Sequence, residues 1–122
     1  MSDAVIAHLA AERPAILERL KTLLRIPSVS TDPAFAADMQ AAREFLLDRL
    51  RTIGLQNVRL LDGGEGQPAV FGEWMGAPGR PTIIVYGHYD VQPADPLALW
   101  HTPPFEPTER DGRLYARAAR PM

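Results

Sequence analysis

Two side chains that could bind or orient a metal lie close together in the sequence Gly87-His88-Tyr89-Asp90. Residues two apart in extended backbone point to the same side, so the Asp90 carboxylate can reach one nitrogen of the His88 imidazole. A carboxylate in that position fixes the tautomer of the ring, and the other ring nitrogen can then bind a metal. The spacing is therefore typical of a metal-binding histidine with an orienting aspartate.

The same two residues also have a plainer interpretation. A His-x-Asp pair is common by chance and can be an ordinary polar contact at the end of a strand. One histidine cannot hold zinc, which takes about three or four protein ligands. The chain has no cysteine, so every further ligand would have to be His, Asp or Glu. The pair by itself favours an ordinary polar contact. The surrounding sequence is needed to distinguish this interpretation from a metal-binding histidine.

An apolar run, Thr82-Ile83-Ile84-Val85-Tyr86, comes directly before the pair. It is rich in β-branched residues and apolar on both faces, which predicts a central strand that is covered on both sides. Ligands of open α/β sheets bind beyond the carboxyl ends of such strands. Gly87 would let the chain turn sharply or approach another group closely there. The sequence thus predicts a buried strand that positions His88.

Apolar residues that recur at offsets of three and four predict two helices before this strand. The first covers residues 3–25, with Asp3 as its N-cap and a kink or a fresh start at Pro14. The second covers residues 35–53, and Gly54 is well placed as its C-cap.

A loop joins the two helices, and after the second helix the pattern favours strands. Residues 57–61 and 69–74 predict a hairpin around a glycine-rich turn. Residues 93–107 form a proline-rich loop that its aromatic residues should keep ordered, and 113–116 predict a short strand after the turn signal Asp111-Gly112. The predicted fold class is α/β, with two helices followed by a mixed β-sheet.

The overall composition excludes some classes of partner. Thirteen basic residues against fifteen acidic ones give a net charge of -2, which provides no attraction for nucleic acid or an anionic membrane surface. No apolar run approaches the roughly 20 residues of a membrane span. The absence of cysteine fits a reducing compartment, so we expect a cytoplasmic protein.

The longer stretch VYGHYDVQPADPL at 85–97, continuing through Leu99-Trp100 to Pro104-Phe105-Glu106-Pro107, resembles a family of zinc metallopeptidases. That family includes carnosinase-like dipeptidases, aminoacylase, acetylornithine deacetylase, succinyl-diaminopimelate desuccinylase and the glutamate carboxypeptidases. The amino-acid sequence of this stretch is most similar to the dipeptidase branch of the family. The sequence Ile26-Pro27-Ser28-Val29-Ser30 also resembles an early motif of the family.

The resemblance implies hydrolysis of peptide or amide bonds in dipeptides or related small substrates. Two zinc ions would share a bridging water that becomes the nucleophile, and a glutamate would act as general base. His88 matches the first metal-binding histidine of the family. Asp90 matches the active-site aspartate that orients this histidine, and the Tyr89 ring is expected to pack beside the site.

The match ends near the end of the chain. Tyr115-Ala116-Arg117 fits the start of the next family motif, but Pro121 stands where a metal-bridging aspartate is expected. We therefore expect residues 1–122 to be an N-terminal fragment of one catalytic domain, without an internal boundary and without the lid or dimerisation domain. The isolated chain is expected to be inactive, because the bridging aspartate, the general-base glutamate and the later ligands have no counterpart in it.

Two alternatives remain open. Glu106, Glu109 or Asp111 could replace a missing ligand, although solvated charges on a loop and turn are the simpler interpretation. The chain could also be a non-catalytic α/β interaction module. An unfinished sheet leaves strand edges unpaired, and such edges lead to self-association or aggregation.

Overall fold

A computed structural model of the chain describes residues 2–119. The predicted departure from the family at Pro121 lies outside the described residues. The described residues cluster into two compact units, one made of residues 2–27 with 93–119 and the other of Ser28–Gln92. Among the described residues, no helix is both long and apolar enough to cross a membrane. The cytoplasmic location stays a prediction, and so does the expectation of a single catalytic domain.

Helices come first in the chain and strands follow, as predicted. The elements in chain order are helix α1 (Asp3–Leu24), a 3-10 turn (Pro33–Phe35), helix α2 (Ala36–Thr52), strands β1 (Gln56–Leu61) and β2 (Ala69–Glu73), a 3-10 turn (Leu97–Leu99), and strands β3 (Thr108–Arg110) and β4 (Arg113–Tyr115).

Helix α1 confirms the first predicted helix but differs from the prediction at two positions. Ser2 takes the N-cap position and Asp3 is the first helical residue, so the prediction of Asp3 as N-cap is wrong. A carboxylate in the first turn still interacts favourably with the positive end of the helix dipole. Pro14 lies inside a helix that continues past it, rather than starting a new one.

The first unit also contains the hairpin β3–β4. Its strands pair antiparallel, and the turn residues Asp111 and Gly112 have φ values of 52° and 71°, which confirms the predicted tight turn. Two surface ion pairs link this part of the chain to α1. They are Lys21 with Glu109 at 2.5 Å and Arg25 with Glu106 at 3.3 Å.

In the second unit, α2 packs against the predicted hairpin β1–β2. Met39 and Ala42 of α2 are buried, and the strands pair antiparallel. Gly72 of β2 lies so close to α2 that an added Cβ would be 3.3 Å from a methyl group of Leu50. The C-cap residue of α2 is Ile53, and Gly54 follows it with a φ of 86°. The left-handed glycine therefore lies one position beyond the observed C-cap, and the prediction of Gly54 as the C-cap is wrong by one residue.

The predicted central strand Thr82–Tyr86 is the largest departure. These residues form no strand, and the side chains from Ile83 to Tyr86 are 81% to 91% exposed. A strand that is apolar on both faces requires neighbouring strands and covering layers, and none of residues 2–119 supplies them. In place of one mixed sheet, the described residues form two separate antiparallel hairpins.

Candidate functional site

His88 and Asp90 are positioned by a short pairing between two distant segments of the second unit. Val29 forms an isolated parallel bridge with Val91, and the Val91 backbone N–H donates to the Ser28 carbonyl at 2.9 Å. Val29 is 1% exposed, so a buried side chain supports the pairing. We refer to residues 28–30 and 89–91 together as the clasp.

Two serine hydroxyls add further hydrogen bonds across the clasp. Ser28, which is 3% exposed, donates from Oγ to the Tyr89 carbonyl at 2.8 Å. Ser30 donates from Oγ to Oδ2 of Asp90 at 2.5 Å. The first bond fixes the backbone between His88 and Asp90, and the second fixes the Asp90 carboxylate itself.

The imidazole of His88 folds back towards Asp90. Its Nδ1 lies 2.9 Å from the Asp90 backbone oxygen and 3.2 Å from Oδ1 of the Asp90 carboxylate. A carbonyl and an ionised carboxylate can only accept, so Nδ1 must carry the proton. In the neutral ring the free lone pair then lies on Nε2. The structure thus brings the two residues together, while their metal-binding and catalytic roles stay predictions.

The exposure of the pair leaves this lone pair accessible. The His88 side chain is 66% exposed and the Asp90 side chain 39%. A metal or another electrophile could therefore reach Nε2 without any rearrangement of the clasp.

Tyr89 lies between the two polar residues and anchors the backbone there. Its hydroxyl donates to the Pro68 carbonyl at 2.7 Å, and its ring is half-buried. This contact agrees with the expectation that the ring packs beside the site.

Gly87 behaves differently from the prediction. Its φ is not positive and no atom lies within 4 Å of the place where a Cβ would be, so its local conformation does not require glycine.

The described residues do not form a complete metal site. Within residues 2–119, no group of three or more His, Cys, Asp or Glu side chains is close enough to hold a metal ion. His88 fits the position of one ligand, since Nε2 is free, while Asp90 is engaged with Nδ1 and Ser30. The alternative in which Glu106, Glu109 or Asp111 replaces a missing ligand stays a prediction, and Glu109 and Glu106 form surface ion pairs with Lys21 and Arg25.

Ser28 and Ser30 are the polar residues of the site to which the sequence analysis gave no chemical role. A signal was present in the sequence, because the two serines flank one valine with the same two-residue spacing as His88 and Asp90. That spacing places both hydroxyls on one side of an extended segment. Nothing in the sequence indicated that the two segments would pair.

Comparison with known proteins confirms the resemblance. Residues 84–121 match the family model described as peptidase family M20/M25/M40. A Cys-Gly metallodipeptidase of Candida albicans is 36% identical over 104 residues, which cover 76% of this chain and 21% of that protein. A succinyl-diaminopimelate desuccinylase of Methylobacillus flagellatus is 40% identical over 106 residues, which cover 87% of this chain and 26% of that protein.

Solved structures agree with these relatives. The crystal structure of human carnosine dipeptidase 1 superimposes with a TM-score of 0.85 and 31% identity, over 94% of this chain and 26% of that one. A di-peptidase of Saccharomyces cerevisiae superimposes with a TM-score of 0.74 and 26% identity, over 82% of this chain and 23% of that one.

The chain spans about a quarter of the length of the relatives it matches. The two helices followed by strands are consistent with part of an α/β domain of this kind. The resemblance to metallopeptidases is therefore confirmed: residues 84–121 match the model of peptidase family M20/M25/M40, and most of the chain is similar to about a quarter of each of these relatives.

Proposed function

We propose that this chain serves in the hydrolysis of peptide or amide bonds in dipeptides or related small substrates, with His88 as one ligand of a two-zinc centre. The observation that carries the proposal is the hydrogen bond from His88 Nδ1 to Asp90, which leaves Nε2 free to bind. The names of two relatives, a Cys-Gly metallodipeptidase and a carnosine dipeptidase, support the substrate class.

The donor chemistry supports zinc as the metal. Imidazole is a common zinc ligand, and the absence of cysteine excludes a thiolate site within this chain. Bound zinc would supply a Lewis acid and lower the pKa of a bound water. Asp90 acts through His88, because a carboxylate on Nδ1 fixes the tautomer and raises the basicity of Nε2. Asp90 is the aspartate that the resemblance assigns to the active site.

We further propose that residues 1–122 alone are inactive, because one histidine and one orienting aspartate do not complete a two-metal centre. Purified chain should show no dipeptide hydrolysis with added zinc beyond that of zinc in buffer. Hydrolysis by the chain that His88→Ala abolished would contradict this part of the proposal.

The role of His88 can be tested in a chimera. The matched quarter of the Candida albicans metallodipeptidase would be replaced by this chain, and zinc-dependent hydrolysis of Cys-Gly measured. His88→Ala should lower turnover by more than about 100-fold, since loss of even an outer partner of a ligand costs roughly 10–100-fold in metal affinity. His101→Ala, which removes another exposed histidine, is the matched control and should keep the activity. Equal activity of the two variants would refute the role of His88.

A chimera that fails to fold leaves the zinc titration of the intact chain as the test. The imidazole nitrogens of His88 would be followed by NMR as zinc is added, with His8 and His101 as internal references. The proposal requires zinc to bind at Nε2 of His88.

A second candidate function is association between copies of the chain. It is favoured by the exposure of the apolar run Thr82–Tyr86, whose side chains from Ile83 to Tyr86 are 81% to 91% exposed. Exposed apolar segments with unpaired backbone groups are templates for strand pairing. Size-exclusion chromatography with light scattering should show dimers or larger species for the parent chain and a monomer for Ile84→Lys. A parent chain that stays monomeric at high concentration would contradict this candidate.

A further inference from the structure

We infer that Ser30 is a positioning residue for the His88–Asp90 pair, and the inference rests on the proposed function of His88. The two oxygens of the Asp90 carboxylate have separate partners. Oδ2 accepts from Ser30 Oγ at 2.5 Å, and Oδ1 faces His88 Nδ1 at 3.2 Å. Ser30 therefore determines which way the carboxylate is turned when it meets the imidazole.

The strength of the Ser30 contact makes this role effective. A hydroxyl that donates to an ionised carboxylate forms a short, charge-assisted hydrogen bond, about twice as strong as a neutral one. Both groups are half-buried, so water competes less for the carboxylate than at an open surface. With Oδ2 held, the carboxylate cannot rotate freely, and Oδ1 stays directed at Nδ1.

The clasp places Ser30 for this task. Val91 N–H donates to the Ser28 carbonyl, and Ser28 Oγ donates to the Tyr89 carbonyl, so the backbones of the two segments are already joined one residue away. The buried side chain of Val29 lies between the two serines in sequence. Both hydroxyls donate to the opposite segment of the clasp, that of Ser28 to the Tyr89 carbonyl and that of Ser30 to the Asp90 carboxylate.

The consequence concerns the tautomer of His88. Nδ1 has two acceptors, the Asp90 backbone oxygen at 2.9 Å and the carboxylate Oδ1 at 3.2 Å. Removal of the Ser30 hydroxyl releases the carboxylate but leaves the backbone oxygen in place. The neutral ring should then carry its proton on Nδ1 for a smaller fraction of the time, and Nε2 should present its lone pair less often.

The test is an NMR measurement of the imidazole nitrogens in the histidine-labelled chain, without zinc, at a pH where the rings are neutral. Parent chain should show the Nδ1–H form of His88. Ser30→Ala should shift both nitrogens of His88 towards the values of His8 and His101, and Ser30→Thr should restore the parent values, because threonine keeps the hydroxyl. Unchanged His88 shifts in Ser30→Ala would overturn the inference.

Two controls separate positioning from folding. Ser28→Ala removes a hydrogen bond of the clasp but leaves the contact of Ser30 with Asp90, so it should keep the parent tautomer. If Ser28→Ala shifts His88 as much as Ser30→Ala does, the effect belongs to the clasp and the inference fails. Should Ser30→Ala not fold, Ser30→Thr and Ser30→Val form a pair of equal shape that differs in the hydroxyl. Equal His88 shifts in that pair would also overturn the inference.

Because no zinc is present, this measurement is independent of the proposed function. A tautomer that follows the Ser30 hydroxyl supports the positioning role even if His88 later proves not to bind zinc. In the reverse result, zinc binds at Nε2 of His88 but the tautomer is the same in the parent chain and in Ser30→Ala. That result would overturn the positioning role of Ser30 and leave the proposed function standing.

Discussion

The clasp and the apolar run Thr82–Tyr86 belong to the same unit, and the run lies close in sequence to residues 89–91 of the clasp. The two regions differ in whether their polar and apolar groups have partners. In the clasp, the Val91 backbone N–H and both serine hydroxyls have hydrogen-bond partners within residues 28–30 and 89–91, and Val29 is 1% exposed. In the apolar run, side chains with equally strong strand preference stand 81% to 91% exposed.

The difference shows which features form from contacts among the described residues alone. A hydrogen bond needs one partner, and the clasp finds its partners within the second unit. A strand that is apolar on both faces needs neighbours at its edges and layers on its faces. The His88–Asp90 geometry is therefore present although the strand that precedes it is not formed.

The largest expected effect comes from the same substitution made in both regions. Val29→Ala should lower the free energy of unfolding by about 2 kcal/mol, because it removes two buried methyl groups and leaves a cavity. Val85→Ala, at a side chain that is 90% exposed, should change it by less than about 0.5 kcal/mol. Denaturant unfolding followed by circular dichroism measures both. A larger loss for Val85→Ala would mean that the apolar run is covered in solution.

Removing a buried hydroxyl group from the clasp should have a smaller effect on the free energy of unfolding. Ser28→Ala should cost about 1–2 kcal/mol, since the side chain is 3% exposed and the Tyr89 carbonyl loses its donor. Thr52→Ala is the matched control, because Thr52 also donates from its hydroxyl to a backbone carbonyl, that of Asp48, but at an exposed site. Equal losses for the two variants in the same unfolding experiment would show that the clasp is not buried as described.

The smallest expected effect on stability comes from the surface ion pairs of the unit formed by residues 2–27 and 93–119, because water screens each pair. Hydrogen bonds to Glu109 and then Glu18 raise the pKa of Lys21 above its ordinary 10.5, and a hydrogen bond from Lys21 lowers the pKa of Glu18 below 4.5. The raised lysine pKa contributes stability that is present below pH 10.5 and lost as pH rises through the folded-state pKa. The lowered glutamate pKa contributes stability that is present above pH 4.5 and lost as pH falls.

Lys21→Met should therefore flatten the dependence of the unfolding midpoint on pH at both ends of this window. The parent chain should lose the same dependence in concentrated salt, because exposed pairs are screened. A parent chain whose midpoint responds to pH identically to that of Lys21→Met would contradict the role of these ion pairs.

The sequence predicted those features that depend on local pattern. The two helices follow from apolar spacing, the two hairpins from turn residues such as Asp111-Gly112, and the contact of His88 with Asp90 from their spacing of two. Each of these requires only residues near one another in sequence. The errors at the helix ends, such as Ser2 in place of Asp3 as N-cap, are shifts of one residue.

The features that the sequence analysis missed depend on distant residues. Thr82–Tyr86 carries the pattern of a central strand, but a strand forms only where partners pair with it, and its own pattern cannot supply them. The role of Ser30 depends on a partner 60 residues away. Neither the pairing of the clasp nor the hydrogen bond to Asp90 has a local signature.

A zinc titration followed at the imidazole nitrogens tests whether His88 binds zinc through Nε2 while Asp90 holds the proton on Nδ1. We expect zinc to shift Nε2 of His88 at lower concentration than either nitrogen of His8 or His101, and Asp90→Asn to weaken this binding by roughly 10–100-fold. Binding at Nδ1 of His88, or equal responses from all three histidines, would contradict it.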